Sequence, residues 1–336
     1  MSKTDELIDR LEHAGFASEF VRTCLPDWWD VQAEESETSW LQLQLGLAQR
    51  LSLDPLSLID ERAPLRLSSA GSPKFKHLKL TEQQQLAANG FSRGLARLLL
   101  AAFHPAEYTL PSSAADLRGA LLESAGGAWI DLGALLMMCS ACGIPVAHLT
   151  AFPAGIKGMA AMATAIGDRA AIFTARKPIH SAQVAFYVAH ELGHIALGHV
   201  RNDRAIVEAL TMDPDETDDG VEIDDEELDA DRFAFELLTG NPEFRVGGSV
   251  NRGTGRELAQ VAEEAGRQHR IDPGLLILCY GKETNRWPVA TTALKLLQDG
   301  DAAPVASQIN LGLRSQLDPD LLSSQDRSYL DAVVAV

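Results

Sequence analysis

The pentapeptide at residues 190–194, His-Glu-Leu-Gly-His, constrains this chain more than any other part of its sequence. Two histidines four residues apart on a helix lie about 40° apart around its axis, at roughly 100° per residue, so both rings project from one face. The flanking residues 184–189 and 195–197 are mostly apolar, which indicates a buried helix. Buried imidazoles need hydrogen-bond partners or a metal ion. The sequence therefore predicts that His190 and His194 bind one metal ion, and two core histidines satisfied by their neighbours remain the alternative.

Glu191 follows the first histidine and is the candidate base, because zinc peptidases with this spacing use the glutamate to take a proton from the attacking water. Catalytic zinc usually has three protein ligands and one open position, so a third ligand is needed. Metzincins place a histidine ten residues after the first one, where this chain has Val200. His199 would lie about 180° from His190 around a continuing helix, so we expect it to point away from the metal.

The third ligand is predicted to come from a second amphipathic helix at residues 226–238. Glu227 and Asp231 are four residues apart and share one face of that helix, so Glu227 can reach the metal. Asp231 can accept a hydrogen bond from the distal nitrogen of a ligand histidine and fix its tautomer. Other acids lie nearby, but the register of the apolar residues selects Glu227; these residues are Phe233, Phe235, Leu237 and Leu238.

Two segments resemble the signatures of the ImmA/IrrE family of zinc metallopeptidases. Residues 188–199 read VAHELGHIALGH and are similar to the active-site helix of that family. Residues 227–238 read ELDADRFAFELL and are similar to its second signature. The preceding Cys-Gly-Ile-Pro-Val at residues 142–146 also fits, and the resemblance extends over about residues 120–245.

The resemblance implies a gluzincin-like zinc endopeptidase whose Zn²⁺ ligands are His190, His194 and Glu227 and whose base is Glu191. Known relatives cleave a helix-turn-helix transcriptional repressor when the cell is stressed. The expected substrate is therefore such a repressor, or a similar regulator, in a stress or mobile-element response. The alternative is a non-cleaving regulatory or sensor protein that binds a protein partner through its helical flanks. The intact base favours the enzyme.

Peptide hydrolysis also needs a hydrogen-bond donor for the oxyanion of its tetrahedral intermediate. Tyr187, His180, Tyr280 and Arg256 are the candidates, and the sequence leaves the choice among them open. We expect the substrate to lie extended along an edge strand within residues 159–165, held by backbone pairing.

The acidic composition argues against nucleic acid as the main partner. The net charge is −18 and the sequence pI is about 4.9, whereas nucleic acids are bound through Lys and Arg. Residues 47–58 resemble a helix-turn-helix, but residues 55–61, in the place of the DNA-reading helix, are apolar and acidic. Direct DNA binding is therefore disfavoured. Residues 213–231 carry 12 acids and no base, and one hypothesis is that the loop 213–225 gates access to the site.

The sequence predicts a cytoplasmic protein that does not associate with membranes. Its N-terminus lacks the apolar stretch of a signal peptide. The most apolar segment, residues 133–150, contains Pro145 and favours a core helix and strand over a membrane span. Four cysteines do not make a disulfide framework, and we interpret the pair Cys139 and Cys142 as the end of a core helix rather than a redox pair.

The order of the predicted elements indicates an α+β fold, in which a small antiparallel sheet packs on the helices that carry the HExxH site. Four regions are expected along the chain. They are a helical, degenerate helix-turn-helix-like region at 1–62, a linker at 63–80, the zinc metallopeptidase core at 81–252 and a helical C-terminal region at 253–336.

Overall fold

A computed structural model describes most of the chain. The described residues are 2–68, 74–76, 81–124, 126–153, 159–175, 177–178, 180–200, 205–208, 225–247, 253–298 and 304–335, with the backbone alone at 74–76 and 205–208.

Helices make up most of the described chain and alternate with a few short strands, in agreement with the predicted α+β class. The helices are α1 (Lys3–His13), α2 (Ser18–Thr23), α3 (Val31–Glu34), α4 (Glu37–Arg50), α5 (Pro55–Ile59), α6 (Glu82–Ala102), α7 (Ala114–Ser124), α8 (Leu132–Ala141), α9 (Ser181–Ala196), α10 (Asp225–Thr239), α11 (Gly255–His269), α12 (Pro273–Thr284), α13 (Trp287–Leu297), α14 (Val305–Ser315) and α15 (Ser324–Val333). The strands are β1 (Lys74–Lys76), β2 (Val146–His148), β3 (Ala161–Ile166), β4 (Arg169–Thr174) and β5 (Ala205–Glu208).

The five strands form one mixed sheet in the order β1-β5-β3-β4-β2. Its centre is antiparallel, because β3 pairs with both β4 and β5 in that sense. Its margins are parallel, since β1 pairs with β5 and β2 pairs with β4. The predicted antiparallel sheet is therefore present at the centre, and the prediction is wrong at both margins, which are parallel.

The position of β3 also corrects the expected place of the substrate. The predicted edge strand at 159–165 is interior, because residues 161–164 pair with β5 and residues 161–166 pair with β4. The strand β5 comes from the segment between the HExxH helix and α10, where the sequence shows no clear strand pattern. β5 lies about 40 residues after β3 in the chain, so their pairing depends on tertiary contacts that the local sequence pattern does not reveal.

The sequence predicts two short strands, at 159–165 and 170–174, separated by a Gly-Asp turn at 167–168, and the hairpin of β3 and β4 forms there. Gly167 has a φ of +63° in the two-residue turn, a conformation that glycine adopts without the steric penalty of a Cβ. Alternate side chains of the two strands face opposite sides of the sheet, as the pleat requires. The sheet therefore contributes to a core on each face.

The two large hydrophobic cores of the described residues lie on either side of this sheet. One surrounds α9 and is formed by α7, α8 and α10–α13. The other joins the N-terminal helices with α6, with Met162 and Phe173 of the sheet, and with Tyr329 and Leu330 of α15. Side chains from the two ends of the chain thus share a core. The division into four regions stays a prediction, and β1 lies within the expected linker at 63–80.

Asn310 covers the edge strand β2. Its side chain is buried on α14, where Oδ1 accepts a hydrogen bond from the His148 backbone N–H at 2.8 Å and Nδ2 donates to the His148 carbonyl at 2.9 Å. Nδ2 also donates to the carbonyl of Ala335 at 2.7 Å. The amide side chain therefore takes the place of a neighbouring strand, which blunts the pairing tendency of an edge.

No helix in the described part of the chain is long and apolar enough to cross a membrane.

Replacing Asn310 by Leu should lower the free energy of unfolding by about 2–5 kcal/mol, because the buried backbone groups of His148 and the half-buried carbonyl of Ala335 lose their partner. Denaturant unfolding followed by circular dichroism measures the change. The adjacent Leu311 is 54% exposed, so Leu311→Ala serves as the control and should change stability by about 0.5 kcal/mol or less. Equal effects of the two substitutions would contradict this account of the edge.

Candidate metal centre

The helix α9 holds the two histidines of the HExxH sequence on one buried face. It begins at Ser181, and the His180 ring caps it by accepting a hydrogen bond from the Ala182 N–H at 3.1 Å. His190 is 1% exposed and His194 is fully buried. Their Nε2 atoms lie 3.1 Å apart, as expected for residues four apart on a helix. The predicted helix and its orientation toward the core are confirmed.

The helix α10 brings Glu227 to the two imidazoles. One carboxylate oxygen, Oε2, lies 3.4 Å from His190 Nε2, and the other, Oε1, lies 3.6 Å from His194 Nε2. Glu227 is 4% exposed, so the carboxylate is withdrawn from bulk water together with the rings. These three side chains each offer one ligand atom within 4.8 Å of the others, and together they could hold a metal ion.

Gly193 allows α10 to approach α9 closely. A Cβ on Gly193 would lie 3.1 Å from the Ala230 Cα and 3.1 Å from the Phe233 Cβ, which is tighter than ordinary van der Waals contact. Ala230 is itself small and fully buried. Since Glu227 lies one turn before Ala230 on α10, this close approach sets how far its carboxylate reaches toward the histidines.

Asp231 orients the first histidine, His190, but is not one of the three side chains that could hold a metal ion. Its Oδ1 lies 2.9 Å from His190 Nδ1, so the carboxylate accepts a hydrogen bond from the ring. The ring proton is then on Nδ1, which leaves the Nε2 lone pair for a metal. The predicted contact between Asp231 and a ligand histidine is present in the structure.

His199 orients the second histidine, His194, although the sequence predicts that His199 points away from the metal site. Its Nδ1 lies 2.9 Å from His194 Nδ1. The expectation that His199 points away assumed a continuing helix, but α9 ends at Ala196 and Gly198 has a φ of +76°. The left-handed glycine reverses the chain, so the His199 N–H bonds to the His194 carbonyl at 2.9 Å and its ring returns to the site. The Leu-Gly-His sequence at 197–199 was the available signal, since glycine is common just after a helix end.

Glu191 lies beside the first ligand, as the sequence requires, and is fully buried. The three ligand side chains do not include it. The role of Glu191 as the base therefore stays a prediction.

The structure excludes one of the four candidates for the oxyanion donor. His180 precedes His190 by ten residues, which is about 15 Å along α9, so it cannot serve this site. The hydroxyl of Tyr187 accepts a hydrogen bond from Gln183 at 2.9 Å, and that of Tyr280 accepts one from Arg286 at 2.8 Å. Tyr187, Tyr280 and Arg256 stay candidates.

The CxxC pair lies at the end of α8, as interpreted from the sequence. Burial raises the pKa of the Cys139 thiol well above its usual range, which opposes formation of a reactive thiolate. The Sγ of Cys142 lies 3.8 Å from the Sδ of Met138, and both cysteines are free.

Most of the acidic segment at 213–225 lies outside the described residues, so its suggested gating role stays a hypothesis.

Comparison of the chain with protein-family models, with curated proteins and with solved structures gave no match in any of the three.

Replacing His199 by Ala should weaken binding of a divalent metal by about 10–100-fold, because His194 loses the partner that fixes its tautomer and ring orientation. Asp231→Ala should act similarly through His190. Competition with a chromophoric chelator measures the affinity. His13→Ala is the matched control, since that ring is exposed on α1 and its loss should leave the affinity unchanged. Native affinity in both site variants would show that neither residue positions a ligand.

Replacing Gly193 by Val should lower the free energy of unfolding by about 1–3 kcal/mol and weaken metal binding, because the added atoms force α10 away from α9. Thermal denaturation and metal titration measure the two effects. Gly312 on α14 has open space where a Cβ would stand, so Gly312→Val should leave metal binding unchanged. Unaltered metal affinity in the Gly193 variant would contradict the role of this close contact.

Proposed function

We propose that this chain is a zinc-dependent endopeptidase of the ImmA/IrrE type. The observation that carries the proposal is the buried triangle of His190 Nε2, His194 Nε2 and the Glu227 carboxylate, with Glu191 beside it. Two imidazoles and one carboxylate are a ligand set of catalytic zinc, in which the fourth position is left for water or substrate.

The spacing of the donor atoms supports zinc. Zinc binds nitrogen and oxygen ligands at about 2.0–2.2 Å, so two ligands at a tetrahedral angle lie about 3.3 Å apart. In the structure the two Nε2 atoms lie 3.1 Å apart, Glu227 Oε2 lies 3.4 Å from His190 Nε2, and the other oxygen, Oε1, lies 3.6 Å from His194 Nε2. Because Nδ1 of His190 donates to Asp231, the Nε2 lone pair of that ring is available toward the centre of the triangle.

In the proposed hydrolysis, each residue of the site has a separate role. When bound, zinc lowers the pKa of a coordinated water and polarises a peptide carbonyl. Glu191 takes the proton from the attacking water and passes it to the leaving amine. Asp231 and His199 keep the two ligand rings oriented. The burial of all four central side chains excludes bulk water and strengthens their electrostatic effect on the reaction.

The proposed substrate is a helix-turn-helix repressor or a similar regulator. The support for this part is the resemblance of residues 188–199 and 227–238 to a family whose relatives cleave such repressors. The alternative, a protein that binds a partner without cleaving it, has no need of a base. The buried Glu191 beside a complete ligand set therefore favours the peptidase.

Replacing Glu191 by Gln should reduce peptide cleavage by about 10²–10⁴-fold while the bound zinc stays, because the amide cannot accept the proton and all three ligands are intact. The purified full chain is incubated with candidate helix-turn-helix regulators, the fragments are identified by mass spectrometry, and zinc is measured by elemental analysis. Glu123→Gln, at an exposed position on α7, is the control and should retain full activity.

Cleavage by the Glu191→Gln variant at the native rate would overturn the assigned mechanism. A native chain that holds zinc and binds the regulator without cutting it would replace the peptidase by the non-cleaving alternative.

A further inference from the structure

Three tryptophans form a row of ring contacts at the surface of the N-terminal helices. The ring centroids of Trp28 and Trp29 lie 5.6 Å apart, and those of Trp29 and Trp40 lie 5.9 Å apart. The Nε1–H of Trp29 donates to Thr4 Oγ1 at 3.2 Å, which holds this ring against α1. All three tryptophans are half-buried, so part of each is in contact with solvent.

Two aliphatic side chains extend this exposed apolar area. Val31 begins α3 two residues after Trp29 and is 78% exposed. Leu41 follows Trp40 on α4 and is 44% exposed. The exposed parts of five residues are called the tryptophan surface below; they are Trp28, Trp29, Val31, Trp40 and Leu41. Exposed apolar patches with a polar rim mark interaction sites, and tryptophan is enriched among the residues that contribute most to protein binding.

The residues around the tryptophan surface are acidic. Residues 23–49 include no Lys, Arg or His but contain five acids, which are Asp27, Asp30, Glu34, Glu35 and Glu37. Glu35 and Glu37 are exposed, and neither forms an ion pair with a described base. Their charge is therefore available to a partner.

The neighbouring bases do not balance these acids. The first turns of α1 add Lys3, but they also add Asp5 and Glu6. Arg22 of α2 already pairs with Asp5, at 3.3 Å. Arg50 at the end of α4 is buried and donates to backbone carbonyls. The negative charge around the tryptophan surface thus exceeds the positive charge.

Both the acids and the indoles select a cationic partner. Carboxylates at the rim of an interface attract Lys and Arg of the partner and repel its acids. The face of an indole also attracts ammonium and guanidinium groups, more strongly than other aromatic rings do. The same acids repel the phosphates of nucleic acids, anionic lipid headgroups and the matching surface of a second copy of this chain.

We propose that the tryptophan surface docks a basic amphipathic segment of a protein partner. Apolar side chains of that segment cover Val31 and Leu41, and its Arg and Lys side chains meet the indoles together with Glu35 and Glu37. The docking is independent of the candidate metal centre and of cleavage, because α3 and α4 contribute no ligand atom to that site.

Two synthetic amphipathic peptides test the proposal. Both carry leucine at the same positions, and their polar positions hold Arg and Lys in one peptide and Glu in the other. Each is titrated into the full chain at physiological ionic strength, followed by calorimetry and by tryptophan fluorescence. The basic peptide should bind saturably and change the fluorescence, and the acidic peptide should do neither. Lack of saturable binding of the basic peptide, or equal binding of both, would overturn the proposal.

A first pair of double variants tests the apolar part of the surface. Val31→Ser with Leu41→Ser should raise the dissociation constant of the basic peptide by about tenfold. Leu296→Ser with Leu311→Ser is the matched control, since these side chains are 51% and 54% exposed on α13 and α14, and it should leave the constant unchanged. All four positions are exposed, so the variants should fold, which circular dichroism checks.

A second pair of double variants tests the charge. Glu35→Gln with Glu37→Gln should weaken binding several-fold, because two rim carboxylates are lost. Glu107→Gln with Glu123→Gln removes the same charge at two other exposed positions and should have no effect. Equal weakening by both pairs would show attraction to the overall charge of the chain and would overturn the site. Sedimentation of the chain alone as a dimer that Val31→Ser with Leu41→Ser dissociates would replace the partner by a second copy and also overturn it.

Discussion

The close contact between α9 and α10 is the interaction on which the rest of the site depends. The HExxH helix supplies two of the three side chains that could hold a metal ion by its own geometry, but it cannot supply the third. Glu227 comes from 33 residues beyond His194 and reaches the imidazoles because Gly193 and Ala230 present almost no side-chain bulk between the two helices. The close packing of these small residues thus sets the positions of the potential ligand atoms, which lie 3.1–3.6 Å apart.

Burial gives this arrangement its chemical character. Two imidazoles and two carboxylates without bulk water are costly unless each polar group is satisfied. The outer nitrogens of both rings are satisfied from the protein, by Asp231 and by His199. The inner nitrogens converge with Glu227 on one point, where a metal ion would satisfy them together. The protein therefore fixes the two rings in orientations suited to metal binding. The stability of the folded core offsets the free-energy cost of burying these polar groups.

Much of the fold could be predicted because its elements are local. Apolar periodicity locates α9 and α10, and a glycine turn locates the β3–β4 hairpin. The margins of the sheet could not be predicted, because β1 and β5 are short and pair across long sequence separations. His199 was misplaced for a different reason. Its direction depends on where α9 ends, and a single left-handed glycine changes it.

The sequence by itself determined the side chains available at the candidate metal centre, because the spacing of four fixes His190 and His194 on one helix face and places Glu191 next to His190 in the chain. It also selected Glu227 and Asp231 through the register of a second helix. Only the tertiary structure decided which side chain partners His194, which strand lies inside the sheet, and that His180 caps α9 away from the candidate metal centre. Helical periodicity acts over a few residues, whereas these outcomes depend on how distant segments pack against one another.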